Sequence, residues 1–207
     1  MEKFIITISR EFGSGGRYVG EMLAKELGVP FYDRDIITMV AEKSGLSASF
    51  IEKSDESIPN TFLHNLKYSA YSSVDTMAFV EMPVITDKVF LAQSSVIKEI
   101  ASQGSCVIVG RCADYILRDE PDLVKVFIRA SMEDKVKRAI KFHGLSPEKA
   151  PERVKKIDKS RTNYYKYYTH RPWGSFDNFD LGINTSFTGV TSAVTIIATM
   201  IREKSGE

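Results

Sequence analysis

The chain has 207 residues, 43% of them hydrophobic and 27% charged, and a net charge of +1. That suffices for one α/β domain with a sizeable core, and the charge balance points neither to nucleic acid nor to a membrane surface. No apolar run approaches the roughly 18 residues of a membrane span. A strand-like run begins at residue 4, so no leader peptide is expected. Three scattered histidines and two cysteines, Cys106 and Cys112, have no metal-ligand spacing. A reduced, cytoplasmic protein is expected.

Residues 4–9 (Phe-Ile-Ile-Thr-Ile-Ser) form a short β-branched run that predicts a buried strand. The turn that follows holds three glycines in four residues, Gly13, Gly15 and Gly16. Glycine tolerates positive φ and lets a ligand approach the backbone, so such a turn can aim successive N–H groups at one anion. Val19, Met22, Leu23, Ala24 and Leu27 then share a helical face, with Gly28 as the stop. Strand, glycine turn and helix together build phosphate sites, because the helix start adds partial positive charge to open N–H donors. A ligand-free glycine turn is the plainer alternative, which this context outweighs.

Gly13, Ser14, Gly15, Gly16 and Arg17 are therefore the candidate cradle for donor phosphates. The loop departs from G-x-x-x-x-G-K-[ST]: no glycine starts it and the lysine is missing. Counting back from the helix puts Gly16 at the lysine position, whereas aligning the last glycine puts Arg17 there. The place of the Ser/Thr is taken by Arg17 or Tyr18. Arg17 is the only base within the glycine turn and is expected to reach an anion there; the alternative is an ion pair with Glu21 at i+4.

Residues 30–33 predict a short second strand leading into Arg34 and Asp35, and a helix then carries Ile36, Ile37, Val40 and Ala41 to Gly45. Across residues 46–86 the pattern weakens, and a helical, partly mobile insertion is expected. Residues 87–103 predict a helix that buries Val89, Phe90, Ile97, Ile100 and Ala101. Residues 106–109 read as a central parallel strand. Arg111, just past that strand, emerges on the same sheet edge as the glycine loop, where α/β sheets bind ligands. Residues 123–128 predict another strand. Ser131 caps the next helix, with Met132, Val136 and Ile140 inward and Lys135, Lys137, Arg138 and Lys141 as a solvated face.

From Arg153 to Arg171 there are seven Lys/Arg against one carboxylate, Asp158, interleaved with Tyr164, Tyr165, Tyr167 and Tyr168. Asp158 and Arg161 share a helical face at i, i+3. Such a basic segment, here 151–174, is placed to close as a lid over a transferring phosphoryl group. A last strand at 179–184 and a helix with Val190, Val194, Ile197 and Ile201 complete about five βα units, hence a parallel sheet covered on both faces.

The ordered set of residues 8–17 (Ile-Ser-Arg-Glu-Phe-Gly-Ser-Gly-Gly-Arg), 27–33, 107–114 and 157–161 resembles the cytidylate kinases, and more closely the cytidylate kinase-like family of P-loop proteins. The likeness spans nearly the whole chain and is weak over 46–86. It implies a single P-loop nucleoside-triphosphate-hydrolase-type α/β domain over 1–207: a parallel sheet with helices on both faces, an acceptor-side helical insertion (46–86) and a basic lid. It further implies ATP and Mg2+, with phosphoryl transfer to a nucleoside monophosphate, most simply CMP or dCMP. In cytidylate kinases a Gly-Arg-Asp motif ends the central strand; here Gly110-Arg111-Cys112 keeps the arginine and replaces the aspartate. Of the Arg-Asp-x-x-Asp-x-x-Arg lid segment, Asp158 and Arg161 survive.

Arg17, Arg111, Asp158 and Arg161 are thereby implied as catalytic. Asp33, Arg34, Asp35, Arg111, Asp158 and Arg161 are implied on the acceptor side, with Asp33 or Asp35 placing magnesium through water. A small-molecule nucleotide is the implied partner, with no nucleic acid and no membrane. Two other readings stay open: a kinase for a different small acceptor, and a nucleotide sensor without turnover, which the altered loop favours.

Overall fold

The computed structural model of the chain describes residues 3–49, 51, 77–204 and 206, with the side chains of 77–85 outside that description. Five strands form one parallel sheet: β1 (Ile5–Arg10), β2 (Phe31–Tyr32), β3 (Cys106–Val109), β4 (Leu123–Arg129) and β5 (Leu181–Asn184), in the order β2-β3-β1-β4-β5. The helices that frame it are α1 (Gly16–Leu27), α2 (Asp35–Ser44), α3 (Met77–Ser102), α4 (Ala113–Ile116), α5 (Met132–His143), α6 (Ala150–Thr169), α7 (Thr185–Thr188) and α8 (Val190–Lys204).

Side chains alternate across a strand, so neighbouring apolar residues feed opposite layers. Ile6, Ile8, Val107, Val109 and Val126 pack against α1 and α8. Ile5, Ile108 and Leu123 pack against α2, α3 and α4. Both faces are covered, which is why β1 is buried along its whole length.

Local signals set several boundaries. Gly28, at φ 66°, ends α1, and its N–H caps the last carbonyls of that helix. The Ser131 hydroxyl accepts the Asp134 N–H at 3.2 Å and starts α5. Pro151 sits in the first turn of α6, where its missing N–H costs nothing.

Three expectations are corrected. Helix α3 begins at Met77, well before Asp87, and absorbs the end of the expected insertion; residues 50 and 52–76 of that insertion lie outside the described residues. Strand β5 begins at Leu181; Phe179 precedes it as a buried residue whose ring lies 5.1 Å from Phe127. Helix α5 is rotated from its predicted apolar face: Lys135 and Ala139 are buried and Met132 is exposed, while Val136 and Ile140 are half-buried and Lys137 and Lys141 face solvent as expected. The reason is its neighbours, since α5 packs against α6 and the glycine loop and not against the apolar sheet.

The first strand leads into α1 on one face and β3 into α4 on the other, so their C-terminal ends flank the crevice where the sheet order reverses. Open parallel sheets bind ligands there.

Candidate active site

The glycine loop runs from the end of β1 to the start of α1. Gly13 and Gly15 take positive φ, 75° and 83°. A Cβ on Gly13 would lie 2.5 Å from the carbonyl oxygen of Lys135, so glycine also lets the loop press against α5. The Ser14 hydroxyl donates to the Glu11 carbonyl at 2.8 Å and accepts the Gly16 N–H at 3.3 Å. The Ser14 carbonyl accepts from Thr185 Oγ1 at 2.6 Å and from Arg138 at 3.1 Å. Because a trans peptide points N–H opposite to C=O, that clamp aims the Gly15 N–H away from Arg138.

Among the described residues no group accepts the N–H of Gly13 or Gly15, and no side chain caps α1. Of the predicted cradle, Ser14 and Gly16 thus spend their donors inside the loop, and Gly13, Gly15 and the start of α1 hold the open ones. This arrangement fits the phosphates of a nucleotide.

Beside the loop stands a cluster of arginines. Asp33, just past β2 and 5% exposed, accepts from Arg17 Nε at 2.8 Å and from Arg111 at 3.1 Å, with Arg10 at 3.9 Å. Burial raises the Asp33 pKa, but the charges of Arg111 and Arg10 and the hydrogen bonds from Arg111 and Arg17 outweigh it and hold the carboxyl below the usual range. One carboxylate among three guanidinium groups leaves the cluster net positive.

Arg111 is only 2% exposed and also donates to the Val109 carbonyl at 2.9 Å. Gly110, Arg111 and Cys112 all have positive φ, at 79°, 55° and 54°. For the two non-glycine residues this costs on the order of 1–3 kcal/mol each, a kind of strain that clusters at functional sites.

Helix α6 closes the arrangement. Asp158 accepts the Phe12 N–H at 2.7 Å and pairs with Lys135 Nζ at 2.7 Å, and Arg161 donates to the Arg10 carbonyl at 3.1 Å. Lys135 also reaches Glu11 at 3.2 Å. The lid-like segment is thus seen docked on the loop's base. The Tyr165 hydroxyl donates to Asp114 at 2.7 Å, and Trp173 Nε1 donates to Ser9 at 2.9 Å. Burial pushes the Asp114 carboxyl up to about 6 against the opposing pull of that Tyr165 bond. Between these elements lies a small open pocket, lined among others by Ser9, Arg10, Arg111, Arg161, Tyr164 and Trp173. Its three arginines suit an anion.

Arg111, Asp158 and Arg161 are brought together with the loop. Arg17 stands elsewhere: position 17 points its side chain along α1 to Asp33 and to Glu21 at 3.1 Å, and it is more than half exposed. The cation expected over the loop is therefore turned aside by two carboxylates. Arg34 and Asp35 lie exposed at the start of α2. Among the described residues no three His, Cys, Asp or Glu side chains converge on a metal. Asp33, facing guanidinium groups, does not fit a divalent cation.

Reading the sequence missed Arg10, Lys135 and Arg138. Lys135 and Arg138 share a helical face at i, i+3, but nothing local separates them from the solvated Lys137 and Lys141.

The sequence model of the cytidylate kinase-like family matches residues 5–187. A cytidylate kinase from Ignicoccus hospitalis is 23% identical over 198 residues, 95% of this chain and 98% of its own length. An uncharacterised protein from Eubacterium ventriosum has a crystal structure that matches with a TM-score of 0.72 at 27% identity, covering 96% of this chain and 98% of that one. Shikimate kinase from Acinetobacter baumannii, in complex with shikimate, matches with a TM-score of 0.52 at 16% identity, covering 98% and 94%. That last likeness concerns the fold alone. No helix among the described residues is long and apolar enough to cross a membrane.

Proposed function

The chain belongs to the cytidylate kinase-like family, and from that premise we propose that it transfers the γ-phosphoryl group of ATP to a nucleoside monophosphate, most simply CMP or dCMP. The observation that carries the reading is the convergence of Arg10, Arg111 and Arg161 on one pocket at the strand ends, where the glycine loop with its open Gly13 and Gly15 N–H groups leaves β1. ATP supplies the phosphoryl group when bound. The loop N–H groups and the start of α1 hold its phosphates, and Arg111 and Arg161 grip the acceptor phosphate. Asp158 holds α6 on the loop. No covalent intermediate is required, since positioning and charge stabilisation carry phosphoryl transfer. Asp33 orients the guanidinium groups.

An ADP-release screen over nucleoside monophosphates with Mg-ATP tests the proposal, with CMP or dCMP expected to give the highest rate. No ADP release with any monophosphate overturns it. Arg161→Ala is expected to lower kcat/KM for the acceptor at least tenfold, since a charge-assisted phosphate contact is worth roughly 1.5–3 kcal/mol. Arg111→Lys keeps a charge beside Asp33 and loses the planar fork, so its defect should fall on acceptor kinetics more than on melting.

A second reading, nucleotide binding without turnover, is favoured by one feature: Gly16 and Arg17 stand where a lysine and a Ser/Thr would bind phosphate and metal. The same screen separates the two, because a sensor binds ATP and releases no ADP.

A further inference from the structure

The glycine loop carries a side chain and a glycine in exchanged places. Helix α1 begins at Gly16 with Gly15 as its N-cap. That resolves the alignment left open by the sequence: Gly16 stands at the lysine position of G-x-x-x-x-G-K-[ST], and Arg10 stands at the position of the first glycine. A Cβ built on Gly16 would lie 2.5 Å from the Cβ of Arg10 and 3.1 Å from its Cγ. Side chains do not approach so closely, so the two positions share one volume and a long side chain can leave from only one of them. In the ordinary pattern it leaves from the helix start, and glycine at the strand end makes room. Here it leaves from the strand end, and glycine at the helix start makes room.

The position of Arg10 matches that exchange. Its residue is 9% exposed, and its guanidinium lies 3.9 Å from Asp33. It lines the pocket together with Arg111 and Arg161. Its stem thus packs against the start of α1, and the residue lines the pocket at the strand ends. Arg17 runs along α1 to Asp33 and Glu21 and does not line that pocket.

We propose that Arg10 is the donor-phosphate cation of this loop, and that residue 16 is glycine because the Arg10 stem fills the space a lysine there would use. The inference rests on the phosphoryl-transfer reading above.

Calorimetric titration with Mg-ATP, paired with thermal melting, tests it. Arg10→Met keeps the stem and removes the charge; it should fold like the parent and bind ATP at least tenfold more weakly, about 1.4 kcal/mol. Gly16→Lys alone should melt lower and lose ATP binding, because its Cβ meets Arg10. The double variant Arg10→Gly/Gly16→Lys restores the ordinary pattern and should bind ATP at least tenfold more tightly than Arg10→Gly.

Arg10→Met binding ATP like the parent overturns the proposal. So does a double variant that melts below Gly16→Lys alone, or one that folds and binds no better than Arg10→Gly. The parent separates the two levels of the argument. A parent that fails to bind Mg-ATP removes the phosphoryl-transfer reading and this inference with it. A parent that binds ATP yet phosphorylates no monophosphate loses the acceptor assignment, while the Arg10 result still stands or falls on the variants.

Discussion

Asp33 and Asp114 are both buried carboxyls, and their surroundings drive them in opposite directions. Asp33 sits among arginines that keep it ionised below the usual carboxylate range. Its folded pKa lies below its unfolded value, so the stability it contributes is present above about pH 4 and lost as pH falls further. Asp33→Asn leaves three guanidinium groups around a neutral side chain and should cost about 3–5 kcal/mol at pH 7. In urea unfolding, the gap from the parent should close below pH 4. Asp114 has the opposite sign. Its folded pKa is raised to about 6, above the ordinary aspartate value of about 4, so the folded state holds a proton that the unfolded state releases. Stability then falls as pH rises between those values, and Asp114→Asn should remove that slope in melting temperature against pH.

At the scale of elements, the loop is a joint between α1, α5 and α6 as much as a ligand cradle. Gly13→Ala would need its Cβ 2.5 Å from the Lys135 carbonyl at a φ of +75°. It should lower stability by at least about 2 kcal/mol in urea unfolding, more than the reduced entropy of the unfolded chain could return. Asp158→Asn keeps an acceptor for the Phe12 N–H and loses the charge facing Lys135. Hydrogen exchange should then rise along α6 and in the loop together.

The strands, the glycine turn and the helix stops were legible, because β-branched runs and glycine caps act through local backbone preferences. The roles of Lys135 and Arg138 were not, since a lysine aimed at Asp158 has the same local pattern as one aimed at water. The same holds for Arg17, whose competing carboxylate at Asp33 arrives through the tertiary fold. Arg10 was hidden by the expectation that a loop cation follows its glycines.

On the scale of the whole molecule, the sheet order puts the ends of β1 and β3 side by side, and α6 spans both. Asp158 holds Phe12 at the glycine loop, Arg161 holds the Arg10 carbonyl, and Tyr164 and Tyr165 line the arginine pocket. One element is therefore tied to both proposed binding sites, and that has a thermodynamic consequence. If filling either side tightens α6, each ligand must raise the affinity of the other by the same factor, whichever arrives first. Titrating the monophosphate with and without ADP, and ADP with and without the monophosphate, should return equal ratios. A fivefold ratio corresponds to about 1 kcal/mol of coupling. Asp158→Asn, by loosening the helix from the loop, should bring both ratios towards one, so that donor and acceptor bind as strangers.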